Sequence, residues 1–184
     1  MPIPRPRSML GAGLAASPLA GLHAAHTTWD GADLSRAILV GARLQGASLV
    51  GADLREALLE SADLTGADLT RSTLRGAQAP AIILRGARMH AVELEGANLC
   101  GAILVGADLS QAHARHVNLP GADLSKADLF KADLSGANLI GSDLLGANLA
   151  GANLGGARVW GAAYDEHTVF PNDFDPVVRQ MRRL

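Results

Sequence analysis

GADLS at 31–35, GADLR at 51–55, GADLT at 66–70, KADLS at 131–135 and GANLA at 146–150 are one five-residue phrase, and the chain keeps that count unbroken from Gly31 to Trp160. Indexed by the first residue of each unit, the 26 units have Leu at the fourth position in 22 and Ala at the second in 21. A helix repeats every 3.6 residues and a strand every two, so neither keeps positions five apart facing inward over such a stretch. The backbone has to turn every five residues. A unit this short cannot bury its apolar side alone and does so by stacking on its neighbours.

The pattern A(D/N)LxG, held in one frame over about seven tenths of the chain, resembles the pentapeptide-repeat family. The resemblance implies an all-β solenoid: a right-handed quadrilateral parallel β-helix, four pentapeptides per coil, with second and fourth residues inward. The residues agree. Ala and Leu alternate inward, and Gly, first in 16 of the 26 units, suits a corner where φ is positive or backbones come close. Residues 20 apart then stack at roughly 4.8 Å per coil, giving a rod about 30 to 35 Å long. Burying the 22 central leucines contributes about 1.5 to 3 kcal/mol each, most of it offset by ordering the chain. Ala79, ahead of Pro80, and Ala114 leave two centres underfilled, and Ile82 and Val117 at the adjacent second positions supply volume there.

Both ends depart from the phrase. Residues 1–10, with Pro2, Pro4 and Pro6, read as an extended tail. Residues 11–30 read as an irregular first coil that keeps Leu14 and Leu19 in frame. Arg5 and Arg7 ahead of the apolar stretch Met9 to Leu22 also fit the outline of a secretory signal, the alternative reading. The repeat is assigned to 31–163 and a cap to 164–184. In the cap, Asp175-Pro176 marks a helix start. Val177, Val178, Met181 and Leu184 would form its apolar face, and Arg179, Arg182 and Arg183 suit its C-terminus. With Phe170, Pro171 and Phe174, this short capping helix is expected to cover the last coil, whose open strand edges would otherwise template further pairing. A homodimer contact through Phe170, Phe174, Val177, Met181 and Leu184 is the alternative to a lid.

Composition narrows the function. A formal charge of −2 gives no general attraction to nucleic acid, and 3% aromatic residues do not make a base-stacking platform. The single cysteine, Cys100, offers no intramolecular disulfide, which with the preferred reading of the N-terminus points to a cytoplasmic protein. No apolar run is long enough for a transmembrane helix. His113 and His116 fall on different faces, no Cys or carboxylate cluster completes a metal site, and neither GxxxxGK(S/T) nor GxGxxG occurs. No enzymatic activity and no cofactor are expected.

Function is therefore sought on the outward third and fifth positions. One face stacks Asp33, Asp53, Glu93 and Asp133 beside Arg55, Arg75 and Arg115, an ion-pair ladder of small worth per pair. The next stacks Asn98, Asn118 and Asn138 as an amide ladder. Its fifth column reads Val40, Glu60, Pro80, Cys100, Pro120, Ile140 and Trp160, with Ile38 and Leu58 beside its start. An outward apolar line needs a reason. Ile38, Val40, Leu58, Ile140 and Trp160 are accordingly the candidate contacts of a protein partner, and a scaffold or regulatory interaction module is the first functional expectation. The second comes from the resemblance, which includes proteins that protect DNA gyrase or topoisomerase IV from quinolones or toxins by imitating duplex DNA. Asp108, Asp123, Asp128, Asp133 and Asp143 would carry that imitation. The interleaved arginines and leucine-filled centres weigh against it.

Overall fold

The computed structural model describes residues 8–184, so the prolines and arginines of 2–7 lie outside the described residues. Its backbone is a stack of parallel β-bridges that advance by twenty residues: Gly13 with Asp33, Asp33 with Asp53, Ile38 with Leu58, and onward to Asp143 with Ala163. Four backbone hydrogen bonds recur in each unit. Leu54 N–H donates up the stack to Thr73 O at 2.7 Å and Glu56 N–H to Arg75 O at 3.0 Å, Asp53 N–H donates down to Ala32 O at 2.9 Å, and Ala57 N–H closes the turn onto Leu54 O at 3.1 Å. Four such units complete a coil, so the solenoid has four sides. We number the faces by the units opening at Gly31, Arg36, Gly41 and Gly46, each recurring every twenty residues.

The corner residues take a positive φ, whether glycine (Gly31, +64°) or not (Arg36, +57°; His116, +55°). Gly136 is held to glycine by a second constraint, because a Cβ there would collide with the imidazole of His116 one coil below. Inside, the second and fourth positions form one continuous buried core from Ala24 to Ala162. At the two small centres, Ala79, Ile82, Ala114 and Val117 are all buried. There the turn bonds Ile82 N–H to Ala79 O and Val117 N–H to Ala114 O lengthen to 3.3 Å, against about 3.0 Å at neighbouring corners. The branched side chains fill the space at that small cost.

The first coil is not irregular. Ser8 pairs with Thr28 and Gly13 with Asp33 in the same twenty-residue step, so Ser8 to Leu10 belong to the solenoid and not to a tail. What differs is cover: Met9, Leu14, Leu19 and Leu22 pack on the core yet stay half-buried, as the end layer of a stack must. Trp29 fills the centre of the following coil, 3% exposed, with its indole N–H donated to Thr27 Oγ1 at 2.6 Å. These added coils bring the rod to about 40 Å at roughly 4.8 Å each.

The C-terminal cap forms without the expected helix. β1 (Ala163–Tyr164) pairs in parallel with β2 (Arg182–Arg183), so the tail continues the stack as a partial coil. Asp175 does accept N–H bonds from Val177 (2.8 Å) and Val178 (3.2 Å), but the chain between Pro176 and Gln180 makes a single turn. Gln180 adopts φ +55°, which ends helical geometry, and the free edge of β1 then captures the next residues. The apolar residues divide accordingly. Phe170, Phe174 and Met181 pack on the core, Tyr164 meets Phe170 edge-on at 5.5 Å and Phe170 stacks on Phe174 at 5.2 Å. Val177, Val178 and Leu184 instead lie 71%, 74% and 64% exposed, so they do not share one buried face with Met181. Before the lid, Asn148 pairs with Val169, one residue later than the twenty-residue step. Asp165 accommodates that extra residue: its Oδ1 accepts from Gly146 N–H (2.9 Å), His167 N–H (3.0 Å) and Thr168 Oγ1 (2.9 Å). Among the described residues no helix is long and apolar enough to cross a membrane.

Candidate interaction surface

The outward Asp residues serve the backbone first. Each carboxylate accepts the N–H two residues on: Asp108 from Ser110 (2.9 Å), Asp123 from Ser125 (3.0 Å), Asp128 from Phe130 (3.0 Å), Asp133 from Ser135 (3.1 Å) and Asp143 from Leu145 (2.9 Å). All five are half-buried and spread over three faces, Asp133 on the first, Asp123 and Asp143 on the third, Asp108 and Asp128 on the fourth. They do not form one acidic strip. Arginines engage other carboxylates. On the first face, Arg55 grips Asp53 at 2.6 Å, Arg75 meets Glu95 at 2.5 Å and Arg115 lies 3.6 Å from Asp133. Arg88 bonds Asp68 at 2.9 Å on the fourth face, and Arg36 bonds Glu56 at 2.9 Å along a corner.

These contacts hold several carboxyls below their ordinary range. For Asp53 the leading cause is the hydrogen bond from the Arg55 guanidinium. For Asp133, partial burial opposes ionisation, but the bond from the Ser135 N–H, with Arg115 and His113 nearby, outweighs it. Asp63 and Asp68 follow the same balance, burial being overcome by the bonds from Thr65 and Thr70 and by Gln45, Arg43 and Arg88 nearby. The aspartates of the charged ladders are thus satisfied within the rod, while Glu93 has no partner among the described residues. The amide ladder also forms on the second face, Asn138 donating to Asn118 at 2.9 Å, Asn118 to Asn98 at 3.0 Å and Asn98 to Gln78 at 3.4 Å.

The apolar line of the second face separates into two groups. Ile38, Val40 and Leu58 cluster near the N-terminal end, 36 to 39% exposed. Ile140 and Trp160 lie five and six coils beyond Val40, about 24 and 29 Å away at the usual strand spacing. Glu60 and Cys100 are exposed between them, with Pro80 and Pro120 half-buried. Ile140 is half-buried while the Trp160 indole is 64% exposed, and the two line a cleft of about 380 Å³ with Ala157, Arg158, Val159 and Arg179. Sequence reading missed Arg158 and misplaced Arg179. The signal for Arg158 was its place at the end of the column Asn98, Asn118, Asn138, where an amide is replaced by a cation. Arg179 does not end a helix but lies over the Phe174 ring, 5.9 Å from its centroid. Among the described residues no group of His, Cys, Asp or Glu is arranged to hold a metal ion.

The geometry agrees with a recurrent sequence profile. Pentapeptide repeats, in eight copies, match residues 19–55, 37–76, 52–90, 93–129 and 127–162. The chain is a pentapeptide-repeat protein. Among solved structures, this pentapeptide-repeat protein is similar to alr5209, a pentapeptide repeat protein from Nostoc PCC 7120, with 40% identity over 55% of this chain and 84% of that one (TM-score 0.55). It is also similar to full-length QnrB1, a plasmid-mediated fluoroquinolone resistance protein, with 21% identity over 96% of this chain and 91% of that one (TM-score 0.85). At that identity the second likeness concerns the fold. No match was found among curated proteins.

Proposed function

We propose that this pentapeptide-repeat protein is a non-enzymatic interaction module of the cytoplasm, a rigid right-handed rod that holds a protein partner at the C-terminal end of its second face. One observation carries the reading. The repeat's aspartates are occupied by backbone N–H groups and arginines, whereas Trp160 stands 64% exposed beside Ile140 and Arg158. An exposed indole next to a guanidinium is the kind of anchor on which binding energy concentrates. Photo-crosslinking from benzoylphenylalanine at position 160, with the same group at Arg85 on the third face as control, tests it. A discrete protein adduct is expected from position 160 alone. Equal labelling from both positions, or none, refutes the reading.

The second reading, a mimic of duplex DNA that binds gyrase or topoisomerase IV, is supported by the likeness of nearly the whole rod to QnrB1. Charge opposes it: a duplex carries a negative charge about every 1.7 Å of axis, and here the acidic columns are interrupted by paired arginines. Purified gyrase decides between them. Salt-sensitive inhibition of supercoiling by the protein would favour mimicry, and its absence favours the interaction module.

A further inference from the structure

Every complete coil passes its fourth-position N–H groups to the coil above, as Leu139 does to Arg158 O at 2.7 Å and Leu144 to Ala163 O at 2.9 Å. The C-terminal segment continues that ladder over the third face, where β2 pairs with β1, and over the fourth, where Val169 pairs with Asn148. Over the first and second faces it does not. Among the described residues the N–H groups of Leu154, on the first face, and Val159, on the second, have no hydrogen-bond partner, and Val159 also lines the cleft beside Trp160. An unpaired N–H at the end of a ladder is an open donor, and an edge that carries one is prepared for an added strand.

The side chains around that edge have a consistent chemistry. Arg158 and Arg179 have no carboxylate within 4.0 Å among the described residues, in contrast to the paired Arg36, Arg55, Arg75, Arg88 and Arg115. These two cations line a cleft of about 380 Å³ together with the apolar surface of Ile140, Ala157 and Trp160. A pocket built for a small molecule encloses most of its ligand. This one is bounded by exposed side chains and runs along a strand edge, which suits a segment of polypeptide.

We propose that the cleft binds an extended acidic peptide segment bearing a bulky apolar side chain. The peptide adds a strand at Val159, a carbonyl accepting its N–H. Flanking carboxylates meet Arg158 and Arg179, and the apolar side chain lies against Trp160 and Ile140. This assignment names the chemistry of the partner and rests on the interaction reading above. The two fail separately: a basic or uncharged protein crosslinked at position 160 keeps that reading and overturns this one.

The test is fluorescence anisotropy of fluorescein-labelled nine-residue peptides with the full-length protein. The probe alternates Glu with Leu and Trp; the controls replace Glu by Lys, replace the apolar residues by Ser, or N-methylate the central amides so that the strand cannot pair. Saturable binding of the probe alone is expected, weakened by about tenfold or more in Trp160→Ser and in Arg158→Glu with Arg179→Glu, the scale of losing a charge-assisted bond or an aromatic anchor. Melting curves of both variants should match the parent because the replaced side chains are exposed, and Arg→Gln at the two positions serves if charge reversal disturbs the fold. No saturation up to about 1 mM peptide overturns the proposal. So does equal binding by the arginine variants, by the Ser control or by a single-stranded oligonucleotide, or a Trp160→Ser variant that converts a dimer to a monomer.

Discussion

Changing Asp108, Asp123, Asp128, Asp133 and Asp143 together to Asn separates what the carboxylates do for the fold from what their charge does for a partner. Each Asp Oδ1 accepts an N–H two residues on, at 2.9 to 3.1 Å. Asn keeps an acceptor in that place, and Asn148 and Asn153 already make the same bond, to Ala150 at 3.1 Å and to Gly155 at 3.0 Å. The ion pair lost is Arg115 with Asp133 at 3.6 Å, an exposed contact contributing about 0 to 1 kcal/mol. The total cost is therefore about 1 to 2 kcal/mol, a fall in Tm of roughly 2 to 8 °C for a chain of this size. The formal charge meanwhile moves from −2 to about +3. Replacing the same five by Ala removes the acceptors and costs about 0.5 to 2 kcal/mol at each site. Thermal melts followed by circular dichroism compare the two sets, and supercoiling assays with purified gyrase are run alongside. The Ala set should melt well below the Asn set, and neither parent nor Asn set should inhibit gyrase. Equal melting of the two sets refutes the capping argument. Salt-sensitive inhibition by the parent, abolished in the Asn set, refutes the interaction reading in favour of mimicry.

Deleting Phe174 to Leu184 strips β2 from β1 and uncovers the last coil, so light scattering should show aggregates; unchanged size and melting would show the lid to be dispensable. Gly121 has positive φ and open space around it, so Gly121→Ala should cost about 1 kcal/mol. Gly136→Ala should cost about 1 kcal/mol more by forcing the His116 ring from its rotamer, a difference that His116→Ala erases; equal costs for the two glycines would refute the contact. Asp53, Asp63, Asp68 and Asp133 have folded pKa values below the ordinary 3.8. Their contribution is thus complete above about pH 4 and is lost as pH falls through the folded values. A melting temperature that stays flat from about pH 5 to pH 2 would contradict that sign.

The period of five made the core legible because inwardness is a property of each unit: Leu54 and Ala57 are buried for the same reason in every coil. The ends were less legible because their state depends on neighbours. Met9 read as part of a tail and Leu14 as part of an irregular coil where the phrase weakens, yet the backbone step persists and only the covering layer is missing. Asp175-Pro176 is a sound local helix signal, but no local pattern announces that the edge of Ala163–Tyr164 will take Arg182–Arg183 as a strand. At the surface, composition showed the Asp charges and hid their use as acceptors for the backbone. The apolar column was visible as far as Trp160, whereas the unpaired N–H of Val159 and the convergence of Arg158 with Arg179 arise where the ladder stops short, which no residue type records.

The twenty-residue step of the bridges has a consequence for how such a rod can be lengthened or cut. Removing one whole coil, for instance 81–100, shortens the rod by about 4.8 Å and leaves each face in line with itself. Removing a single unit of five, such as 101–105, keeps every Leu and Ala inward and rejoins corner to corner. It nevertheless turns everything beyond the cut by a quarter revolution, so that the groove beside Trp160 leaves the side on which Ile38 and Val40 lie and appears on the adjoining one. Length and azimuth are therefore separate variables in this molecule, the first set by the number of coils and the second by the remainder, and a partner spanning both ends would read the second as sharply as a screw reads its thread.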